Sequence, residues 1–159
     1  MGPNQYKRLR KQYQRRISWG QYALLGILGI TFLNQLLLWM GVRYHFLFSA
    51  AMPYYLNWVA GQLSHKGYSI VATVLTVALY GTYGFCLLRS HEARWFWTSM
   101  VLYALDTILL IVFALALLTN PMSCLIELLV HGVALAILIQ AWVARIRLIQ
   151  MPPRVPEAR

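Results

Sequence analysis

Asp106, His131, Glu127 and Tyr103 are the side chains of this 159-residue chain whose types and spacing bear on chemistry, because each interrupts an apolar run. Asp106 lies near the middle of the run from Trp95 to Leu118. At the centre of a membrane span an aspartate costs roughly 2.5 to 3.5 kcal/mol, so a compensating partner is required. Counted from the Asn120-Pro121 turn at about 1.5 Å per residue, Asp106 lies roughly 20 Å deep and His131 roughly 16 Å deep. Adjacent antiparallel helices would therefore bring the two within hydrogen-bonding reach. Glu127 stands one turn before His131 on the same face, which extends the pair into a ladder, and Tyr103 is a neighbouring hydrogen-bond partner one turn from Asp106.

Three chemistries fit this set. Intramembrane polar pairs hold helices together, and that structural use comes first. Proton or ion handling comes second, since histidine changes charge near neutral pH and ionisable groups inside a membrane are functional by default. Metal binding or hydrolysis comes third: one histidine and two carboxylates suit a facial site, but the chain has no HExxH pair. It also has no nucleophile elbow and no glycine-rich phosphate loop, so neither an enzyme activity nor a cofactor is expected.

The elements that must position these residues follow from composition. With 60% hydrophobic and 11% charged residues, the chain is too apolar for an ordinary soluble domain. A span needs about 20 apolar residues, and four runs qualify: residues 17–40, 68–88, 95–118 and 124–144. The first opens at Trp19 and closes at Trp39, positions suited to interfacial anchors. It follows six basic residues, but it is longer than the apolar region of a signal peptide and lacks a small-x-small cleavage site. Six residues separate the second and third runs, and Asn120-Pro121 breaks the chain between the third and fourth. Short connections make antiparallel neighbours. The expected fold is all-α: four transmembrane helices in an antiparallel bundle, residues 17–144, with a basic arm at 1–16 and a tail at 145–159.

Charge orients the bundle. Of the 14 lysines and arginines, six lie in the arm, two in each of the first two loops, none in the third and four in the tail. The positive-inside rule then places both termini in the cytoplasm. This distribution explains the net charge of +10 without nucleic acid. Tyr6, Leu9, Tyr13 and Ile17 recur at helical spacing, which suits an arm lying on an anionic inner leaflet.

The loop 41–67 is rich in aromatic residues, with Phe46-Leu47-Phe48 and Tyr54-Tyr55-Leu56-Asn57-Trp58-Val59. Ser49 is a candidate cap and Pro53 lies near the start of a short helix through Leu63. Such a helix is too short to span, so it is expected to be interfacial or re-entrant on the external side.

Polar residues recur at spacings of three and four, which predicts inward faces. These are Thr31, Asn34 and Gln35 on the first span and Ser69, Thr73, Thr76, Tyr80 and Tyr83 on the second. The third contributes Ser99, Tyr103 and Asp106, and the fourth Glu127 and His131. Gly26 and Gly29, Gly81 and Gly84, and Gly132 with Ala136 fit close helix contacts. Cys86 and Cys124 fall at opposite ends of their helices and are expected to be free thiols.

The stretch Phe46-Leu47-Phe48-Ser49-Ala50-Ala51-Met52-Pro53-Tyr54-Tyr55, with Asp106 in mid-span and Glu127 and His131 on one helix, resembles small uncharacterised multi-pass membrane proteins of Gram-positive bacteria. The resemblance implies a bacterial cell membrane and carries no activity. The sequence therefore points to a small accessory or interaction subunit in contact with lipid and with a membrane partner or further copies of itself. Proton or ion handling at Asp106, His131 and Glu127 is the alternative.

Overall fold

The computed structural model describes residues 3–42, 46, 49–62, 66–117 and 121–152. They form five helices: α1 (Pro3–Trp39), α2 (Met52–Gln62), α3 (Lys66–Leu88), α4 (Ala93–Leu117) and α5 (Pro121–Ile149). Four of these, α1, α3, α4 and α5, are long and apolar enough to cross a membrane. Each packs against two others in a ring: α1 on α5, α5 on α4, α4 on α3 and α3 on α1, with α2 wedged against α3, α1 and α4.

Beside an apolar core that includes Leu24, Ile27, Phe96, Met100 and Leu138, the molecule buries many polar residues and exposes many large apolar ones. Thr31, Asn34, Gln35, Thr76, Ser99, Asp106, Glu127 and His131 are buried, whereas Leu25, Val74, Leu115 and Leu129 stand exposed. A water-soluble core would show the opposite pattern. Trp19 and Trp39 are exposed, as interfacial anchors should be.

The basic arm is not a separate element. Nothing from Asn4 onward breaks the helix, so α1 runs through the expected boundary at residue 16 as a 37-residue rod, about 55 Å long. The arm's apolar face is also turned toward the protein. Tyr13 is buried, Tyr6, Leu9 and Ile17 are half-buried, and the Tyr6 hydroxyl donates to the Pro152 carbonyl at 3.2 Å. That face, expected on the leaflet, is thus partly covered by the chain's own C-terminal end. Helix α5 likewise continues beyond residue 144, because Arg145 and Arg147 end the apolar run without breaking the helix.

Helix α1 ends where Gly41 adopts φ 77°. Val42 N–H donates to Leu37 at 2.9 Å and Gly41 N–H to Leu38 at 3.0 Å, a pairing that needs a left-handed residue and so favours glycine. Near the middle of α1, Gly20 meets α5 so closely that a Cβ there would overlap the Ala141 Cβ. The small residues expected at helix contacts behave differently. Gly29, Gly81, Gly84 and Gly132 have no neighbour within 4 Å of such a Cβ, and Ala136 is exposed. Small-residue spacing recurs by chance in apolar helices, so it does not identify the packed face. On α3, Thr76 is buried as expected, but Ser69 is exposed and accepts the Thr73 hydroxyl at its own carbonyl.

The connection between α3 and α4 is pinned from two sides. Arg145 donates to the Ser90 carbonyl at 2.8 Å with its guanidinium over the Phe96 ring, and Gln21 donates to the Ser90 hydroxyl at 3.3 Å. Within it, the hydrogen bond from Arg89 foremost, and then that from Arg94, holds the Glu92 carboxyl below its ordinary value. Cys86 is a buried free thiol. The side chain of Cys124, Thr119 and Asn120 of the expected turn and the tail beyond Pro152 lie outside the described residues.

Candidate functional site: an intramembrane polar cluster

Asp106 projects from near the midpoint of α4 and is fully buried. Its carboxylate accepts two backbone hydrogen bonds from the start of α2, Ala51 N–H to Oδ2 at 2.8 Å and Met52 N–H to Oδ1 at 2.7 Å. The first N–H groups of a helix have no partner within it and carry the positive end of the helix dipole. Asp106 therefore caps α2 from a neighbouring helix. Ser49, the expected cap, bonds elsewhere, donating to the Phe46 carbonyl at 3.2 Å and accepting from Asn34 at 2.9 Å.

The chain leading into α2 is held by α1. Asn34 donates to the Phe46 carbonyl and accepts the Phe46 N–H, both at 2.7 Å, so its amide engages both backbone groups of one residue. Thr31 accepts the Ala50 N–H at 2.7 Å, and the Tyr80 hydroxyl donates to the Thr31 carbonyl at 2.6 Å. Farther along α2, Asn57 donates to the Thr76 hydroxyl at 2.7 Å and to Gln35 at 3.4 Å. Tyr55 stacks on Phe113 of α4 with ring centroids 4.8 Å apart. Polar residues of α1, α3 and α4 thus converge on Phe46, Ala50 and the first half of α2.

His131 lies beside Asp106 but does not pair with it as expected. Its Nδ1 is 4.0 Å from Asp106 Oδ2, the outer limit of an ion pair and too long for a hydrogen bond. Two carboxylate oxygens already engaged by α2 leave Asp106 turned toward that helix. Nδ1 instead meets the Thr107 hydroxyl at 3.2 Å, and this hydroxyl is placed to donate to the Tyr103 carbonyl at 2.9 Å. Which of the two donates in the Thr107 contact is set by the tautomer of the ring.

Tyr103 stacks on His131 at 5.0 Å between centroids and 14° between planes, and both residues are fully buried. The Tyr103 hydroxyl and His131 Nε2 have no hydrogen-bond partner among the described residues. Glu127 is buried one turn before His131 on α5. Among the described residues no group of three histidine, cysteine, aspartate or glutamate side chains is placed to hold a metal ion, so the facial site considered from sequence is not assembled.

Sequence reasoning found the cluster residues but missed what Asp106 binds. The donors are backbone amides of Ala51 and Met52, which carry no side-chain signal. Thr107 was also missed, although its position four residues after Tyr103 puts it on the same helix face. Comparisons with protein-family models, with curated proteins and with solved structures find no match for this chain.

Proposed function

We propose that this chain is a multi-pass protein of a bacterial cell membrane, with four antiparallel spans and cytoplasmic termini, that serves as a small accessory or interaction subunit. The observation that carries this reading is the capping of α2 by Asp106. The most costly residue in the bundle is engaged in holding an inserted helix, and Asn34, Thr31, Tyr80 and Asn57 hold the same segment. Polar groups arranged in this way fix α2 within the bundle and present its far end as a docking element for a partner or a second copy. The depth of the α2 start, level with Asp106, supports a re-entrant segment over an interfacial one.

Several contacts support the orientation. Tyr6 reaches Pro152 and Gly20 meets Ala141, as antiparallel α1 and α5 require. Arg145 and Gln21 both reach Ser90, which gathers the basic arm, the basic tail and the arginines of the α3–α4 connection at one end. Positive-inside topology makes that end cytoplasmic. The lysines and arginines of the arm then lie near anionic inner-leaflet lipids.

The test is reconstitution. Purified protein in liposomes is expected to show no pH-dependent flux, and cross-linking in membranes is expected to recover one dominant partner. Proton flux abolished by Asp106→Asn, in a variant that elutes like the parent, would refute the accessory role.

A second reading has its own observation. His131 Nε2 and the Tyr103 hydroxyl are buried without a partner among the described residues, and such groups are costly unless a water, proton or ion uses them. Proton or ion handling by His131, with Asp106, Glu127 and Tyr103, accounts for this. It requires flux that His131→Ala removes while the fold persists.

A further inference from the structure

One flank of α5 carries a strip that takes no part in the polar cluster. At its basic end, Arg16 and Trp19 of α1 with Ile137 and Gln140 of α5 line an open depression of about 210 Å³. Toward the other end, Ile126, Leu129, Val130 and Val133 line a second depression of about 340 Å³. At 3.6 residues per turn, Ile126, Val130, Val133, Ile137 and Gln140 fall within an arc of roughly 80°. The buried face of α5, which carries His131, Ala134, Leu138 and Ala141, lies to one side of that arc. The strip from Ile126 to Gln140 is about 21 Å long, somewhat more than the roughly 15 Å hydrocarbon depth of one leaflet.

Its two ends differ in chemistry. Among the described residues the far end is lined by aliphatic side chains alone. At the near end Gln140 is exposed and makes no hydrogen bond to another described residue, an unusual placement for an amide on an apolar helix. Arg16 is exposed and forms no ion pair with a described residue. Among the described residues no carboxylate is at hand to neutralise it: Glu92 is engaged by Arg89 and Arg94, and Asp106 and Glu127 are interior. Arg147 is exposed two turns after Gln140 on the same flank. Trp19, 66% exposed beside Arg16, marks the depth of the interface.

We propose that this strip binds one anionic phospholipid, with its phosphate held by Arg16, Gln140 and Arg147 and an acyl chain lying along Ile137, Val133, Val130 and Ile126. Charge complementarity and length commit the site to this occupant. A cationic, amide-bearing depression in line with an aliphatic one on the same flank of α5 matches an anionic headgroup joined to a chain, and a zwitterionic lipid meets the cations less favourably. The proposal rests on the membrane-embedded reading with Arg16 at the cytoplasmic leaflet, and it holds under either functional role. It turns a diffuse attraction between basic arm and leaflet into a defined site.

The experiment uses the full chain, stripped of lipid in neutral detergent, with phosphatidylglycerol, phosphatidylcholine or inorganic phosphate added. Binding is read by native mass spectrometry and by the shift in thermal unfolding. Phosphatidylglycerol is expected to bind in preference to phosphatidylcholine with a stoichiometry of one, and its affinity to fall about fivefold for each basic side chain removed in Arg16→Gln and Arg147→Gln. Val133→Trp, which fills the groove without touching charge, is expected to weaken phosphatidylglycerol as well. Lys7→Gln with Lys11→Gln, on the arm but away from the strip, is expected to leave the bound lipid in place. Equal loss in the arm variant would overturn the site in favour of diffuse attraction. Full competition by millimolar inorganic phosphate, with Val133→Trp silent, would overturn the lipid in favour of a free anion. Absence of any preference in the parent chain would also overturn it. Release of the chain from membranes by alkaline carbonate would instead remove the membrane reading beneath the proposal.

Discussion

Asp106 shows how a residue can be recognised from its cost before its role is known. An aspartate in the middle of an apolar run demands partners wherever the chain folds, and the structure supplies two backbone amides. Removing the carboxylate leaves both amides buried and unsatisfied, at about 1–3 kcal/mol each. Asp106→Ala is therefore expected to lower unfolding stability by several kcal/mol in a detergent titration, and Met52→Cys in that background to become more reactive to a thiol reagent. His131→Phe is expected to cost less, because Nδ1 meets a Thr107 hydroxyl already turned to Tyr103 and Nε2 meets no described partner. Equal losses in the two variants would make the Asp106 and His131 contact, rather than the α2 cap, the main bond of the cluster.

Helix boundaries and helix contacts were legible to different degrees. Spans 17–40, 68–88 and 95–118 match α1, α3 and α4 at their apolar ends within two residues, because apolar runs and helix ends coincide at Gly41 and at the α3–α4 connection. They part company at Arg16 and Ala144, where charge begins but nothing interrupts backbone hydrogen bonding. Contact faces depended on residue type. Asn34, Gln35 and Thr76 were placed correctly since burying their polar groups away from lipid is favoured, whereas glycine carries no such preference. Gly20→Ala is expected to destabilise by about 1–3 kcal/mol, because the added methyl overlaps Ala141. Gly132→Ala, which meets nothing, is expected to be neutral or stabilising by up to about 1 kcal/mol. Chaotrope unfolding of the two variants side by side checks both, and destabilisation by Gly132→Ala alone would reverse the assignment of faces.

For the molecule as a whole, the contacts at Ser90 gather basic residues at one end, which the proposed orientation makes cytoplasmic. A cysteine at Thr119 is expected to react with an impermeant maleimide in intact cells, and a cysteine at the exposed His91 only after lysis. The opposite pattern would invert the orientation and move the proposed lipid strip to the outer leaflet. The buried polar residues and the exposed leucines and valines of four long apolar helices suit a membrane-embedded protein.

The sequence by itself determined the solvent, the number of long helices and the residues too costly to face lipid. Each of these depends on local composition and period, and none changes with the way the helices meet. Only the tertiary structure decided that Asp106 caps α2, that Asn34 grips Phe46, that the arm packs on the C-terminal end and that Gly20, not Gly132, marks a close contact. Those outcomes depend on backbone groups and on which flank of a helix meets its neighbour. A backbone amide is the same in every residue but proline, so no side-chain pattern could announce it.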